Sequence, residues 1–123
     1  MFGIYERQKD LADYTAKTAL VIGVGGVGSW IALFSALLGV EYLIIFDTDT
    51  LEEHNLNRTP FTTAQVGKLK TDAIAELISE RRPFCTIEKH NEKFDLALIK
   101  DKQLIMFLIV RITHKLKHYS KLM

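Results

Sequence analysis

The residues most able to do chemistry in this chain are the run Gly23-Val24-Gly25-Gly26-Val27-Gly28 and the polar and charged groups that follow it: Asp47, Asp49, Asn55, Arg58 and Lys70. The run satisfies the pattern G-x-G-x-x-G, in which glycines let the backbone come close to a phosphate and a following helix offers unpaired N–H groups to its oxygens. The pattern alone is weak, because glycine-rich turns also arise for purely structural reasons. Its context strengthens it: a short apolar run precedes it, a helical pattern follows, and Asp47 ends the next apolar run, where a carboxylate can accept hydrogen bonds from ribose hydroxyls. These features suit a nicotinamide dinucleotide as well as a triphosphate. The cations Arg58 and Lys70 favour the triphosphate, whose greater charge is offset by charge-assisted bonds. A dehydrogenase also needs a hydride-transfer pocket, for which a chain of 123 residues has little room.

Elements that position these residues follow from periodicity. Residues 5–16 suit a short leading helix, and Ala19–Ile22 a strand buried on both faces of a parallel sheet. Ser29–Leu38 reads as a deeply packed helix, apolar nearly all round and stopped by Gly39. Tyr42–Phe46 is the second strand, and residues 47–65 form a long polar connection containing Pro60. A helix over about Leu69–Arg82 carries a stripe of Leu69, Ala73, Ile74, Leu77 and Ile78, and Pro83 closes it. Phe84–Lys89 is a third strand, Phe94–Ile99 a short helix and Leu104–Val110 a final strand. The alternation predicts an α/β, Rossmann-like, doubly wound and mostly parallel sheet with flanking helices.

Bulk properties bound the function. Apolar residues make up 48% and charged residues 25%, with a net charge of +1, so no global field points to nucleic acid or membrane. Thr18–Val40 lacks charge and is long enough to span a bilayer, but its glycine cluster breaks it into strand, turn and helix. The charged residues Glu6, Arg7, Lys9, Asp10 and Asp13 argue against a signal peptide. The single cysteine, Cys85, permits no internal disulfide and fits a reducing, cytoplasmic setting; it reads as a core residue. His114 and His118 stand four apart without a third ligand, His54 and His90 read as ordinary loop or strand histidines, and Trp30 as packing.

Four separated blocks carry a more specific signal: Tyr5-Glu6-Arg7-Gln8, the Gly23–Gly28 loop, Asp47-Thr48-Asp49 leading to Asn55-Leu56-Asn57-Arg58, and Val66-Gly67-Lys68-Leu69-Lys70. In order and approximate spacing, over about residues 5–83, they resemble the ThiF/MoeB/E1 (ubiquitin-activating-like) family. The resemblance implies an adenylyltransferase-type domain that binds ATP with Mg²⁺ and activates the C-terminal glycine carboxylate of a ubiquitin-like or sulfur-carrier protein. It implies a nucleotide site of Gly23, Gly25, Gly26, Gly28, Asp47, Asp49, Asn55, Arg58 and Lys70. In that site Gly25 and Gly26 lie against the phosphates, Asp47 holds the ribose, and Asp49 lies near metal and phosphates. Asn55, Arg58 and Lys70 stabilise charge on the departing pyrophosphate, and Arg7 matches an arginine inserted into a partner subunit's site, which requires a homodimer. No residue of the chain is expected to form a metal site of its own.

The chain departs from that pattern after about residue 100. Residues 1–101 read as the nucleotide-binding half, and 102–123 as a family-unlike strand with a basic tail holding Lys102, Arg111, Lys115, Lys117 and Lys121. The Asp-rich stretch expected beside the adenine is replaced by Leu104–Arg111, and there are no C-x-x-C pairs for a zinc site. The domain is therefore expected to be truncated and incomplete as a single chain. A short paralogue, an N-terminal piece of a split protein and an abnormal gene end all fit these departures. Rival functions are a non-catalytic dimerisation or scaffold module and an NAD-binding oxidoreductase fragment.

Overall fold

The computed structural model describes residues 18–98 and 108–110. Strand β1 spans Thr18–Ile22, helix α1 Gly26–Leu38, strand β2 Tyr42–Phe46, helix α2 Lys70–Arg81, strand β3 Thr86–His90 and strand β4 Leu108–Val110. The four strands form one sheet in the order β3-β2-β1-β4, and every neighbouring pair is parallel. The fold is a small Rossmann-like α/β unit. The Tyr42–Phe46 strand lies where periodicity puts it. The third strand is shifted to Thr86–His90, and the short helix after it is a 3-10 turn over Leu96–Leu98. The leading helix and the division at residue 101 lie outside the described residues.

Alternation along the strands sorts side chains between two faces. Ala19, Val21, Leu43 and Ile45 pack with Ala32, Leu33 and Ala36 of α1 and Ala73, Ile74, Leu77 and Ile78 of α2, so both helices cover one face. Leu20, Ile22, Ile44 and Phe46 point to the other face, where Tyr42 and Phe94 join them. Helix α1 ends as expected: Gly39 takes φ 111°, and the N–H groups of Gly39 and Val40 donate to Ala36 and Ser35. The expectation that α1 is packed all round is corrected. Val27, Trp30, Phe34 and Leu38 form an exposed stripe one turn apart along it, because only the opposite face meets the sheet. Among the described residues, no helix is long and apolar enough to cross a membrane.

This topology dictates where a site can form. The chain adds β2 and β3 on one side of β1 and returns to place β4 on the other. At such a reversal, connections leave the carboxyl ends of adjacent strands in opposite directions, opening a crevice above β1. The glycine run follows β1 directly and therefore lies at that crevice.

Candidate functional site

The glycine turn is built by backbone constraint. Gly23 takes φ 88°, a left-handed conformation open to glycine, and its N–H donates to Phe46 O of β2 at 2.8 Å. A Cβ on Gly28 would lie 1.8 Å from Gly23 O, so only glycine lets α1 begin this close to the strand. A Cβ on Gly25 would meet nothing within 4 Å, because that position faces open space. Helix α1 begins at Gly26, three residues before the expected Ser29, so its first N–H groups come from the glycine run. Its first turn carries no acid, leaving the positive end of the helix dipole uncompensated there.

Asp47 ties this turn to the connection that follows β2. Its Oδ2 accepts the Val24 N–H at 2.7 Å and its Oδ1 accepts the Asp49 N–H at 2.8 Å. The residue is buried and lies beneath the cleft wall, not in it. The carboxylate thus holds the glycine loop and the start of the connection in one geometry. Each of its oxygens keeps a second lone pair.

The connection after β2 is more ordered than its polar composition suggests. It contains 3-10 turns over Glu53–Arg58 and Thr63–Gln65. Asn55 Oδ1 accepts the Glu52 N–H at 2.9 Å, and Gln65 Oε1 accepts the Thr62 N–H at 3.1 Å, so each turn is closed by its own third residue. Gln65 also donates to Ala73 O and to Glu76, joining the second turn to α2. An antiparallel bridge between Thr50 and Leu69 returns the chain to its start. It is reinforced by hydrogen bonds from Leu51 to Lys68, Gly67 to Leu51 and Lys70 to Asp49.

These ties close a cleft of about 580 Å³, lined by Gly23, Gly25, Gly26, Val27, Gly28, Asp49, Thr50, Glu52, His54, Asn55, Arg58 and Lys70. The structure therefore brings together the sequence-selected Gly23, Gly25, Gly26, Gly28, Asp49, Asn55, Arg58 and Lys70, with Asp47 below them. Arg7 lies outside the described residues, as do His114, His118 and the basic tail. Lys70 is the first residue of α2 and only 4% exposed, with Nζ 3.6 Å from Asp49 Oδ2. Arg58 crosses above Gly26 and donates to His54 O and Asn57 Oδ1. A buried cation is retained only with compensation. Asp49, the carboxylate paired with Lys70 among the described residues, is half exposed, so the cleft can present both cations to an anion.

Sequence reading missed Glu52 and His54 as cleft residues; His54 Nδ1 lies 3.2 Å from Glu52 Oε2 on the cleft wall. Their signal was position, since Glu52 caps the turn that Asn55 closes and His54 lies between them. His90 is no isolated strand residue either: it stacks on Phe46 at 4.3 Å and pairs with Glu88 at 2.6 Å, while Glu88 accepts the Tyr42 hydroxyl. Cys85 is buried at the amino end of β3, and burial pushes its thiol up to about 11, with Glu41 adding to the effect. Among the described residues, no group of three His, Cys, Asp or Glu side chains could hold a metal ion.

Fold and cleft together define a Rossmann-type domain with a glycine turn and two cations at its switch point. The chain belongs to the ThiF family, which it matches over residues 3–109. It is 41% identical over 87 residues to ubiquitin-like modifier-activating enzyme 5 of Drosophila persimilis, covering 71% of this chain and 21% of that protein. It is 36% identical over 89 residues to the enzyme of that name from Oryza sativa subsp. japonica, covering 72% and 20%. The chain thus spans about a fifth of the length of these curated relatives. Among solved structures, PaaA is similar at 29% identity and TM-score 0.65, covering 76% of this chain and 28% of PaaA. The E. coli tRNA N6-threonylcarbamoyladenosine dehydratase TcdA shares the fold at 24% identity and TM-score 0.69, covering 74% and 41%.

Proposed function

We propose that the cleft binds ATP with Mg²⁺ and serves adenylation of the C-terminal carboxylate of a ubiquitin-like or sulfur-carrier protein. One observation carries this reading: Lys70 and Arg58, from separate sequence blocks, converge on the same cleft as the glycine turn. Two cations and a helix N-terminus suit a triphosphate. The open space at Gly25 is where a phosphate can approach the backbone. Family membership supports the reading, as does the E. coli MccB structure with AMPCPP and MccA, 25% identical to this chain with TM-score 0.63.

In this reading a carboxylate oxygen of the carrier attacks the α-phosphorus. A carbon-bound oxygen–phosphorus bond forms, the α–β bridge breaks, and pyrophosphate leaves with the electron pair. No proton transfer is required, so the protein's contribution is positioning and charge stabilisation. The N–H groups at the start of α1 receive phosphate oxygens. Lys70 and Arg58 receive the charge that grows on the departing pyrophosphate, with the amide of Asn55 beside them. Asp47 holds the loop from beneath the cleft through its two N–H bonds. Magnesium bound with the nucleotide would neutralise phosphate charge, and Asp49 would lie near it. Arg7 of a second copy completes the site in trans, which makes a homodimer part of the proposal. The setting is cytoplasmic, without nucleic-acid or membrane partners.

Calorimetric titration of the chain with ATP·Mg²⁺, with NAD as control, tests the binding step. Selective ATP binding is expected. Tighter binding of NAD would replace the reading with an oxidoreductase fragment. ATP binding without carrier-dependent pyrophosphate exchange would mark a nucleotide-binding scaffold.

A further inference from the structure

We propose that Trp30 is the positioning residue for Arg58, and that triphosphate occupancy of the cleft is therefore registered at Trp30. The inference rests on the nucleotide reading above and deepens it. Arg58 ends the 3-10 turn Glu53–Arg58, so its carbonyl is left open at a helix terminus. The indole Nε1–H of Trp30 donates to that carbonyl at 2.9 Å across 28 residues of sequence. On the same face of α1, one turn earlier, Gly26 supplies room for the arginine. A Cβ at Gly26 would lie 3.3 Å from Arg58 Cδ and 3.5 Å from its Cγ and Nε. One helix face thus provides both the space for the Arg58 stem and the anchor for its backbone. Phe34, a further turn along, lies 5.8 Å from the indole ring and flanks it.

The consequence is specific to the outer phosphates. A long side chain reaches a defined point only if its Cα is fixed, and Arg58 sits in a segment lacking α-helical or strand support. Lys70 is fixed differently, by burial at the start of α2. Removing the indole N–H should loosen Arg58 and leave the rest of the cleft in place.

Trp30→Phe keeps an aromatic ring beside Phe34 and removes the donor. ATP·Mg²⁺ affinity, measured by calorimetry, is expected to fall about three- to tenfold while AMP affinity stays constant. Adding Trp30→Phe to Arg58→Ala should cost nothing more, since the two act through one group. Equal losses for ATP and AMP, or additive losses in the double variant, would overturn the assignment as a merely structural effect. The unmodified chain gives a second measurement, because Trp30 is its single tryptophan. Its fluorescence should change with ATP·Mg²⁺ and not with AMP. An unchanged emission at calorimetrically saturating ATP would sink the proposal while sparing the nucleotide site. Absence of ATP binding by the wild-type chain would instead overturn the nucleotide reading, and this inference with it.

Discussion

Two buried ionisable groups at opposite ends of the sheet differ in their surroundings. Lys70 lies at the carboxyl-end cleft with Asp49 3.6 Å away, and the loops beyond β2 hold Asp47, Asn55 and Gln65, buried polar groups that each bond a backbone group. Cys85 lies at the amino end, among the apolar residues of the helix-covered core, and its thiol is pushed up to about 11. The cleft end spends buried polar groups on fixing loops, whereas the other end is ordinary core. Buried polarity concentrated at one end of a sheet is the informative signal, since apolar burial is expected everywhere.

The sharpest way to break this contrast is at the glycine bank. Gly28→Ala puts a methyl 1.8 Å from Gly23 O and should cost about 3 kcal/mol or more of stability in denaturant titration. Gly25→Ala meets nothing within 4 Å, so stability should change by less than about 1 kcal/mol. Its methyl enters the cleft, and ATP affinity should fall about tenfold or more through lost charge-assisted contacts. If both variants behave alike, the turn is structural and the cleft reading fails.

The charged bank comes next. Lys70→Met keeps the buried stem volume and removes the charge, and Arg58→Ala removes the other cation. Each should weaken ATP by about 1.5–3 kcal/mol and AMP far less, by titration calorimetry. Equal weakening of ATP and AMP would show that these groups do not meet the outer phosphates.

Cys85 gives the smallest effect and probes the opposite end. Its folded pKa lies above its ordinary value of 9.0, so its neutral form is the one the fold favours. Its contribution is complete below about pH 9 and is lost as pH rises through about 11. Relative to Cys85→Ala, the wild type should lose on the order of 1–2 kcal/mol across that window. Native thiol should also react slowly with a disulfide reagent at pH 8. Rapid native labelling would show that this end is not closed core.

How much of this was legible in the sequence depends on the range of the interaction. Tyr42–Phe46, the stop at Gly39 and the helix ending near Arg81 follow from local periodicity and from glycine and proline chemistry. The glycine turn was legible because its constraint, Gly28 against Gly23, acts within six residues. The start of α1 was misplaced, since glycine's low helix propensity hides a helix that tertiary packing sustains. Exposure of Val27, Trp30, Phe34 and Leu38 was equally hidden, because an apolar face does not say whether anything covers it.

By itself, the sequence determined the parallel α/β order and the glycine turn, and it named Asp49, Asn55, Arg58 and Lys70 as candidates for one site. Tertiary structure alone decided their arrangement. Asp47 went beneath the wall to hold two N–H groups, Lys70 became buried beside Asp49, and Glu52 and His54 joined the lining. Trp30 became the anchor of Arg58. These outcomes depend on hydrogen bonds between residues far apart in the chain, which exist only once the strands and the Thr50–Leu69 bridge have set the distances. No local pattern encodes such distances, and that is why candidate residues could be named from the sequence while their geometry could not.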